Sequence, residues 1–253
     1  MTYALRNTHG KVPMRVVARL DEPLAYLGDL LHLDGFLHSA ALHDLDLRTR
    51  KTIEPIETAD WPTDFTLPLA TWWVDYDPDQ HGEINPQLLK RGKTGKKGTD
   101  PQLWGWCATA ADDEAWQVRS KLEIRKRPPL KEMGRYTDAR THNVSSGHMK
   151  AYDLAKPTVF SREVVWYALG DPDRVRHLLT AYITAIGGKR SIGSGTVREW
   201  LVEETSVDTD GVLVDGKLAR RMPAGAAEGA YRMGAIRPPY WHHTRNVGSV
   251  EPC

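Results

Sequence analysis

Cysteine is nearly absent from this chain: Cys107 and Cys253 are two in 253 residues. Two thiols so far apart make no disulfide framework and no metal-ligand spacing, and they fit a reducing compartment. Long apolar runs are missing, so nothing reads as a membrane helix. The first ten residues lack the apolar core of a secretory signal. A cytoplasmic protein with no membrane partner is expected, in line with a mean hydropathy of −0.50. Chemical motifs are scarce as well. There is no G-x-x-x-x-G-K-[ST] between a strand and a helix, and no nucleophile elbow of the serine hydrolases. Asp75, Asp77 and Asp79 alternate as in a calcium loop, but Pro78 interrupts them, and the glycine at loop position six and the terminal glutamate are missing. His242-His243 lack zinc-ligand spacing. No metal and no cofactor are expected.

What the chain has is hidden by a net charge of +1. Residues 20–86 hold 14 acidic against 3 basic residues, whereas residues 87–156 hold 15 basic against 8 acidic. A basic middle in a near-neutral chain points to one cationic surface. The other reading is a solvated basic loop with no partner.

Periodicity gives the element order. Residues 14–20 alternate as a strand. Residues 30–47 place Leu31, Leu33, Phe36, Leu37, Ala40, Ala41 and Leu45 at helical spacing, with Asp34 as candidate N-cap. Residues 67–76 read as a strand. A basic, Gly-rich loop follows, with Lys90, Arg91, Lys93, Lys96 and Lys97. Residues 116–126 form an amphipathic segment that Pro128-Pro129 ends, and residues 158–169 read as one strand. Asp171-Pro172 opens a helix with Val175, Leu178, Leu179, Tyr182, Ile183 and Ile186 on one face, and Gly187-Gly188 are expected to stop it. Residues 196–203 form the last core strand. Beyond residue 204 lie the turn Asp208-Thr209-Asp210-Gly211, a short hairpin over residues 212–217, and a late Arg237-Pro238-Pro239-Tyr240-Trp241 segment. The sum is an α+β fold, a modified ferredoxin-like β-α-β-β-α-β core with its middle hairpin expanded by a basic insertion and followed by a C-terminal extension. The segments are 1–86, 87–156 (the insertion), 157–204 and 205–253.

The most informative stretch is Gly187-Gly188-Lys189-Arg190-Ser191-Ile192-Gly193-Ser194-Gly195, between the last helix and the last core strand. Its glycines allow positive φ and close approach. Its cations and backbone donors suit a phosphate backbone. In the basic insertion, Arg119, Lys121, Arg125, Lys126, Arg127, Lys131, Arg135 and Arg140 interleave with Trp116 and Tyr136, a pattern that can stack unpaired bases. Trp116 fits packing better. Of the tryptophans, Trp72 or Trp73 is expected in the core and Trp104 and Trp106 at an interface.

The glycine loop, in this order of elements, resembles that of the RAMP superfamily of CRISPR-associated RNA-binding proteins. The matching run is Ala185 to Val197. The basic insertion stands where several such proteins carry a thumb. Leu31-His32-Leu33-Asp34-Gly35-Phe36-Leu37 and Arg237-Pro238-Pro239-Tyr240-Trp241 look like the Cas-five-type subunit of type IV systems. The resemblance implies a non-catalytic subunit that caps the crRNA 5′ handle. It would contact backbone RAMP subunits and a large or small subunit of the effector complex. It also allows a position near the protospacer-adjacent motif of target DNA. The RNA-binding set is then Gly187, Gly188, Lys189, Arg190, Ser191, Gly193, Ser194 and Gly195, with Lys90, Arg91, Lys93, Lys96, Lys97, Arg125, Lys126, Arg127, Arg135, Tyr136 and Arg140.

Two alternatives stay open. Repeat endoribonucleases of the same superfamily cut without metal, typically through a histidine, and this chain offers His32, His38, His43, His142 and His148. Only His142 with Tyr136 and Lys150 groups like a catalytic set, while His32 and His43 fit packing or surface roles. A stand-alone single-strand RNA-binding module is the other alternative.

Overall fold

The computed structural model describes residues 3–25, 30–44, 66–84, 89–91, 101–112, 118–126, 151–240 and 246–252. Its centre is an antiparallel sheet of β2 (Val12–Leu20), β9 (Glu163–Gly170) and β10 (Val197–Glu204), in the order β10-β2-β9. The period-two alternation of β2 turns Met14, Val16, Ala18 and Leu20 to one face. Helices α1 (Leu33–Asp44) and α3 (Pro172–Tyr182) cover that face with Leu33, Leu37, Ala40, Val175, Leu178 and Leu179. Trp166 and Trp200 fill the space between, and their indole N–H groups donate to Leu31 O (2.7 Å) and Ile183 O (2.8 Å). Isolated bridges from Leu69, Ala108 and Asp112 line the outer edge of β9. The result is an α+β fold consistent with a ferredoxin-like domain.

A second core lies between two further sheets. One has the order β1-β4-β6-β5, from β1 (Ala4–Arg6), β4 (Thr71–Asp75), β5 (Lys90–Arg91) and β6 (Pro101–Trp106). The other has the order β13-β15-β14, from β13 (Met222–Pro223), β14 (Ala230–Ala235) and β15 (Asn246–Glu251). The short α2 (Pro78–His81) and the hairpin of β11 (Leu213–Val214) with β12 (Lys217–Leu218) complete this half. The last sheet, β3-β8-β7, joins β3 (Leu24–Ala25) to the ribbon of β7 (Val118–Lys126) and β8 (Tyr152–Phe160).

Several expectations change. The strand expected over residues 158–169 is two strands. The chain leaves β8 at Ser161-Arg162 and crosses to the central sheet as β9, with Leu20 N–H donating to Arg162 O (2.9 Å). Helix α3 opens at Asp171, whose carboxylate accepts from Arg174 N–H (3.1 Å), but it ends at Tyr182, before the glycines. Residues 184–186 peel away because they pair with the approach to β10: Val197 N–H donates to Thr184 O (2.9 Å) and Ile186 N–H to Gly195 O (2.9 Å). Residues 118–126 form a strand. Asp34 is no N-cap but a buried residue within the first turn of α1. Trp104 and Trp106, expected at an interface, lie in the main core because β6 packs inward, so part of the segment 87–156 is core. Trp72 is fully buried and Trp73 half-buried. Among the described residues no helix is long and apolar enough to cross a membrane.

Gly105 on β6 lies under the Trp72 indole, and a Cβ there would overlap the ring. Gly105→Ala is expected to destabilise the protein by about 1–3 kcal/mol through overpacking, read as a lower urea midpoint at unchanged slope.

Candidate nucleic-acid interface

The loop between α3 and β10 is built by its backbone. Gly187 takes φ 74° and Gly195 φ 67°. A Cβ at Gly195 would overlap the Ile186 carbonyl, and one at Gly187 would overlap the Leu24 side chain. These two glycines therefore serve close packing against β3. Gly188 N–H donates to Ala25 O (3.0 Å) and Gly195 N–H to Pro23 O (3.0 Å). Ser194 is buried, and its hydroxyl accepts from Ala25 N–H (2.8 Å) and donates to Pro23 O (2.9 Å). Its hydrogen-bonding capacity is used inside the chain.

What the loop presents outward is a single turn. Lys189 stands in the left-handed region at φ 58°, ψ 30°, and leads into a 3-10 turn over Arg190–Ile192 that Gly193 closes at φ 88°. Ile192 N–H donates to Lys189 O (3.1 Å) and Gly193 N–H to Arg190 O (3.0 Å). Lys189, Arg190, Ser191, Ile192 and Gly193 are all exposed. Among the described residues neither cation of this turn has a carboxylate partner. Two exposed cations at the tip of a rigidly held turn can hold a phosphate by charge without reading sequence.

The β7–β8 ribbon is anchored on the same short strand. Ala25 pairs with Gly188 on one side, and Leu24 and Ala25 pair with Val159 and Thr158 on the other. The glycine turn and the ribbon thus share β3. On the ribbon, Arg125 is met by Glu123 (2.9 Å) and Asp153 (3.1 Å), which leaves less of its charge for a partner. Lys126 sits opposite Tyr152, and Lys121 is exposed opposite Pro157. Lys90 and Arg91 form β5, paired with Gln102 and Pro101. Lys93, Lys96, Lys97, Arg127, Arg135, Tyr136 and Arg140 lie outside the described residues, as do Trp116, His142, His148, Lys150 and Trp241.

Residues 96–252 match the family of the CRISPR type IV associated protein Csf3. The chain belongs to this family. The match covers well over half of the chain and takes in β6 to β15 as well as the glycine turn. No curated protein matches the chain.

Within the Csf3-family region, the residues that sequence reasoning missed are buried charges. Arg220 is fully buried with its guanidinium 5.5 Å from the Trp72 ring. It donates to the carbonyls of Trp106, Ala108 (2.9 Å) and Ile236 (2.8 Å), and pairs with Asp34 at 3.4 Å. The Tyr240 hydroxyl donates to both Asp34 oxygens (2.7 and 2.9 Å). Arg221 pairs with Glu251. The late segment around the cis Pro238-Pro239 bond therefore docks on α1 and β6, with Arg237 over the Trp104 ring at 4.2 Å. The usable signal was Arg220-Arg221 flanked by Leu218, Ala219, Met222 and Pro223, a double charge inside an apolar run.

Of the three histidines near the first helix, two are shut away from solvent. His32 and His38 are buried, and His43 stacks on Tyr182 at 6.3 Å. His32 stacks on Tyr240 at 4.4 Å, and among the described residues neither ring nitrogen has a hydrogen-bond partner. Burial, with Arg220 and Arg221 adding to it, holds its pKa well below the ordinary 6.5. Burial pushes the Asp34 carboxyl up, against the pull of Arg220 and the Tyr240 hydroxyl. Among the described residues no three His, Cys, Asp or Glu side chains are placed to hold a metal ion.

The His32 shift fixes a sign. The folded protein keeps this ring neutral while the unfolded chain protonates it near pH 6.5, so stability is lost as pH falls below that value. The slope reaches up to about 1.4 kcal/mol per pH unit for one group. His32→Phe keeps an aromatic ring against Tyr240 and is expected to remove that part of the loss, measured by urea unfolding above and below the ordinary histidine pKa.

Proposed function

We propose that the chain is a non-catalytic crRNA-binding subunit of a type IV CRISPR effector ribonucleoprotein that caps the crRNA 5′ handle. In this reading Lys189 and Arg190 clamp handle phosphates. Backbone N–H groups of the turn and Ser191 assist, and Gly187, Gly188, Gly193, Ser194 and Gly195 set its shape. The basic set of Lys90, Arg91, Lys93, Lys96, Lys97, Arg125, Lys126, Arg127, Arg135 and Arg140, with Tyr136, tracks the strand further along. Backbone RAMP subunits and a large or small subunit are the protein partners, and target DNA near its adjacent motif is a further contact. The site of action is the cytoplasm.

The observation that carries the reading is the conformation of Lys189. A side chain in the left-handed region costs about 1–2 kcal/mol that glycine avoids, and glycine stands on both sides of this turn. A lysine kept at φ 58°, exposed and without a described carboxylate, fits a role for the side chain itself. Membership of the Csf3 family supplies the CRISPR context. The sheet order supports a RAMP-type core. If the bridged stretch 108–112 is taken as the strand beside β9, then β2, α1, this stretch, β9, α3 and β10 follow β-α-β-β-α-β, with sheet order 4-1-3-2. In this order the segment 87–156 carries the second core strand at 108–112 as well as the thumb, between the core parts 1–86 and 157–204, and 205–253 is the extension. The burial of His32 and His38 favours holding RNA over cutting it.

Lys189→Gly separates binding from folding. It is expected to leave stability unchanged or raise it by up to about 1 kcal/mol, while weakening crRNA binding. The double change of Lys189 and Arg190 to Ala is expected to flatten the salt dependence of binding by about 0.7 in log–log slope per lost phosphate contact. Wild-type affinity and slope in both variants would sink the clamp. Clean cleavage of repeat RNA in EDTA would sink the non-catalytic reading.

A further inference from the structure

We propose that the Arg6–Trp73 pair is a stacking platform for an unpaired nucleobase. The proposal rests on the RNA-binding reading above and adds a second kind of contact, at a different sheet from the glycine turn. Four planar groups are in contact one after another. The Arg6 guanidinium lies 4.2 Å from the Trp73 ring centre. Trp73 and Trp104 stack at 5.9 Å and 21°. Arg237 lies 4.2 Å over the Trp104 ring. Arg237 and Trp104 are buried, Trp73 is half-buried and Arg6 is exposed, so the series runs from the core to solvent and ends in a flat cation.

The end plane is set in advance. Arg6 Nη2 donates to Gln102 Oε1 (2.8 Å), which fixes the rotation of the guanidinium. The Trp73 indole N–H donates to Thr71 Oγ1 (2.9 Å), and the Gln102 amide donates to Asp75 Oδ1 (2.7 Å). The rotamer freedom that an exposed arginine loses on binding is thus already lost in the free protein. A stacked, hydrogen-bonded arginine presents its outer π-face, and bases stack on guanidinium planes as they do on aromatic rings.

The neighbourhood selects a base over a phosphate. Asp75 is exposed beside Gln102, and its carboxylate opposes an anion but not an uncharged ring. The neighbourhood also points to a nucleic-acid strand. Gln102, the residue that holds Arg6, stands in register with Lys90. Lys90 and Arg91 together make β5, the strand that pairs with β6 at this end of the sheet. Cations next to a planar platform are how single-strand binders hold a strand without reading its sequence. The strand is RNA or displaced single-stranded DNA, which share this chemistry.

The purified full chain is titrated into single-stranded RNA and, separately, DNA carrying 2-aminopurine, whose fluorescence falls when the base stacks. Wild type is expected to quench the probe. Arg6→Lys keeps the charge and loses the plane. It is expected to abolish most of the quenching and lower affinity about fivefold or more, with an unchanged salt slope and thermal midpoint. Gln102→Leu, which frees the plane, is expected to reduce quenching in part. Quenching with RNA alone, DNA alone or both assigns the strand and supports the platform in each case. Salt-dependent binding without quenching, or quenching that Arg6→Lys leaves intact, overturns the platform while the phosphate clamp stands. Absence of any binding by wild type overturns both.

Discussion

The fold depends on one buried cation. Arg220 is fully buried, and a guanidinium without acceptors at that depth would be prohibitive. Three carbonyls, from Trp106, Ala108 and Ile236, meet it together with Asp34 and Tyr240. The acceptors come from three pieces of the molecule: the end of β6, the first helix and the C-terminal extension. The cation therefore specifies how these pieces meet. Apolar packing alone tolerates small slides, whereas a five-donor fork with fixed acceptors does not.

The glycine turn shows a division of labour within nine residues. Gly187, Gly195 and Ser194 bind the turn to β3, and the Ser194 hydroxyl has both its partners within the chain. Lys189, Arg190, Ser191 and Ile192 are lifted clear, with Ile192 55% exposed. The inward residues give rigidity and the outward ones give chemistry. A cationic turn held this firmly presents its charge at little ordering cost when a strand arrives.

Much of this was legible in the sequence. The period-two pattern of residues 14–20, the Asp171-Pro172 helix start and the hairpin after Gly211 follow from local rules, and local hydrogen bonds enforce them. The misread features all depend on distant residues. Nothing near Ser161-Arg162 marks a change of sheet, because the instruction comes from β2 and β3. The early end of α3 is imposed by residues 195–197. Asp34 looks like a cap because caps are Asp, and only the arrival of Arg220 from far along the chain makes it an ion pair. For the site, the glycine loop was visible as a motif, but which of its residues face inward required the position of β3. Trp104 and Trp106 looked like interface residues within a basic segment because their packing partners lie on other strands.

The Asp34–Arg220 pair spans 186 positions of sequence, and that separation has a consequence in time. During synthesis the first helix emerges with a carboxylate destined for a dry site, and the cation that satisfies it follows roughly 10–40 s later at ordinary translation rates. Until then α1 has a reason not to bury that face. The Tyr3 hydroxyl is in the same position, since its acceptor Asp210 (2.5 Å) is made almost as late. Closure of both contacts therefore requires a chain whose extension has been translated.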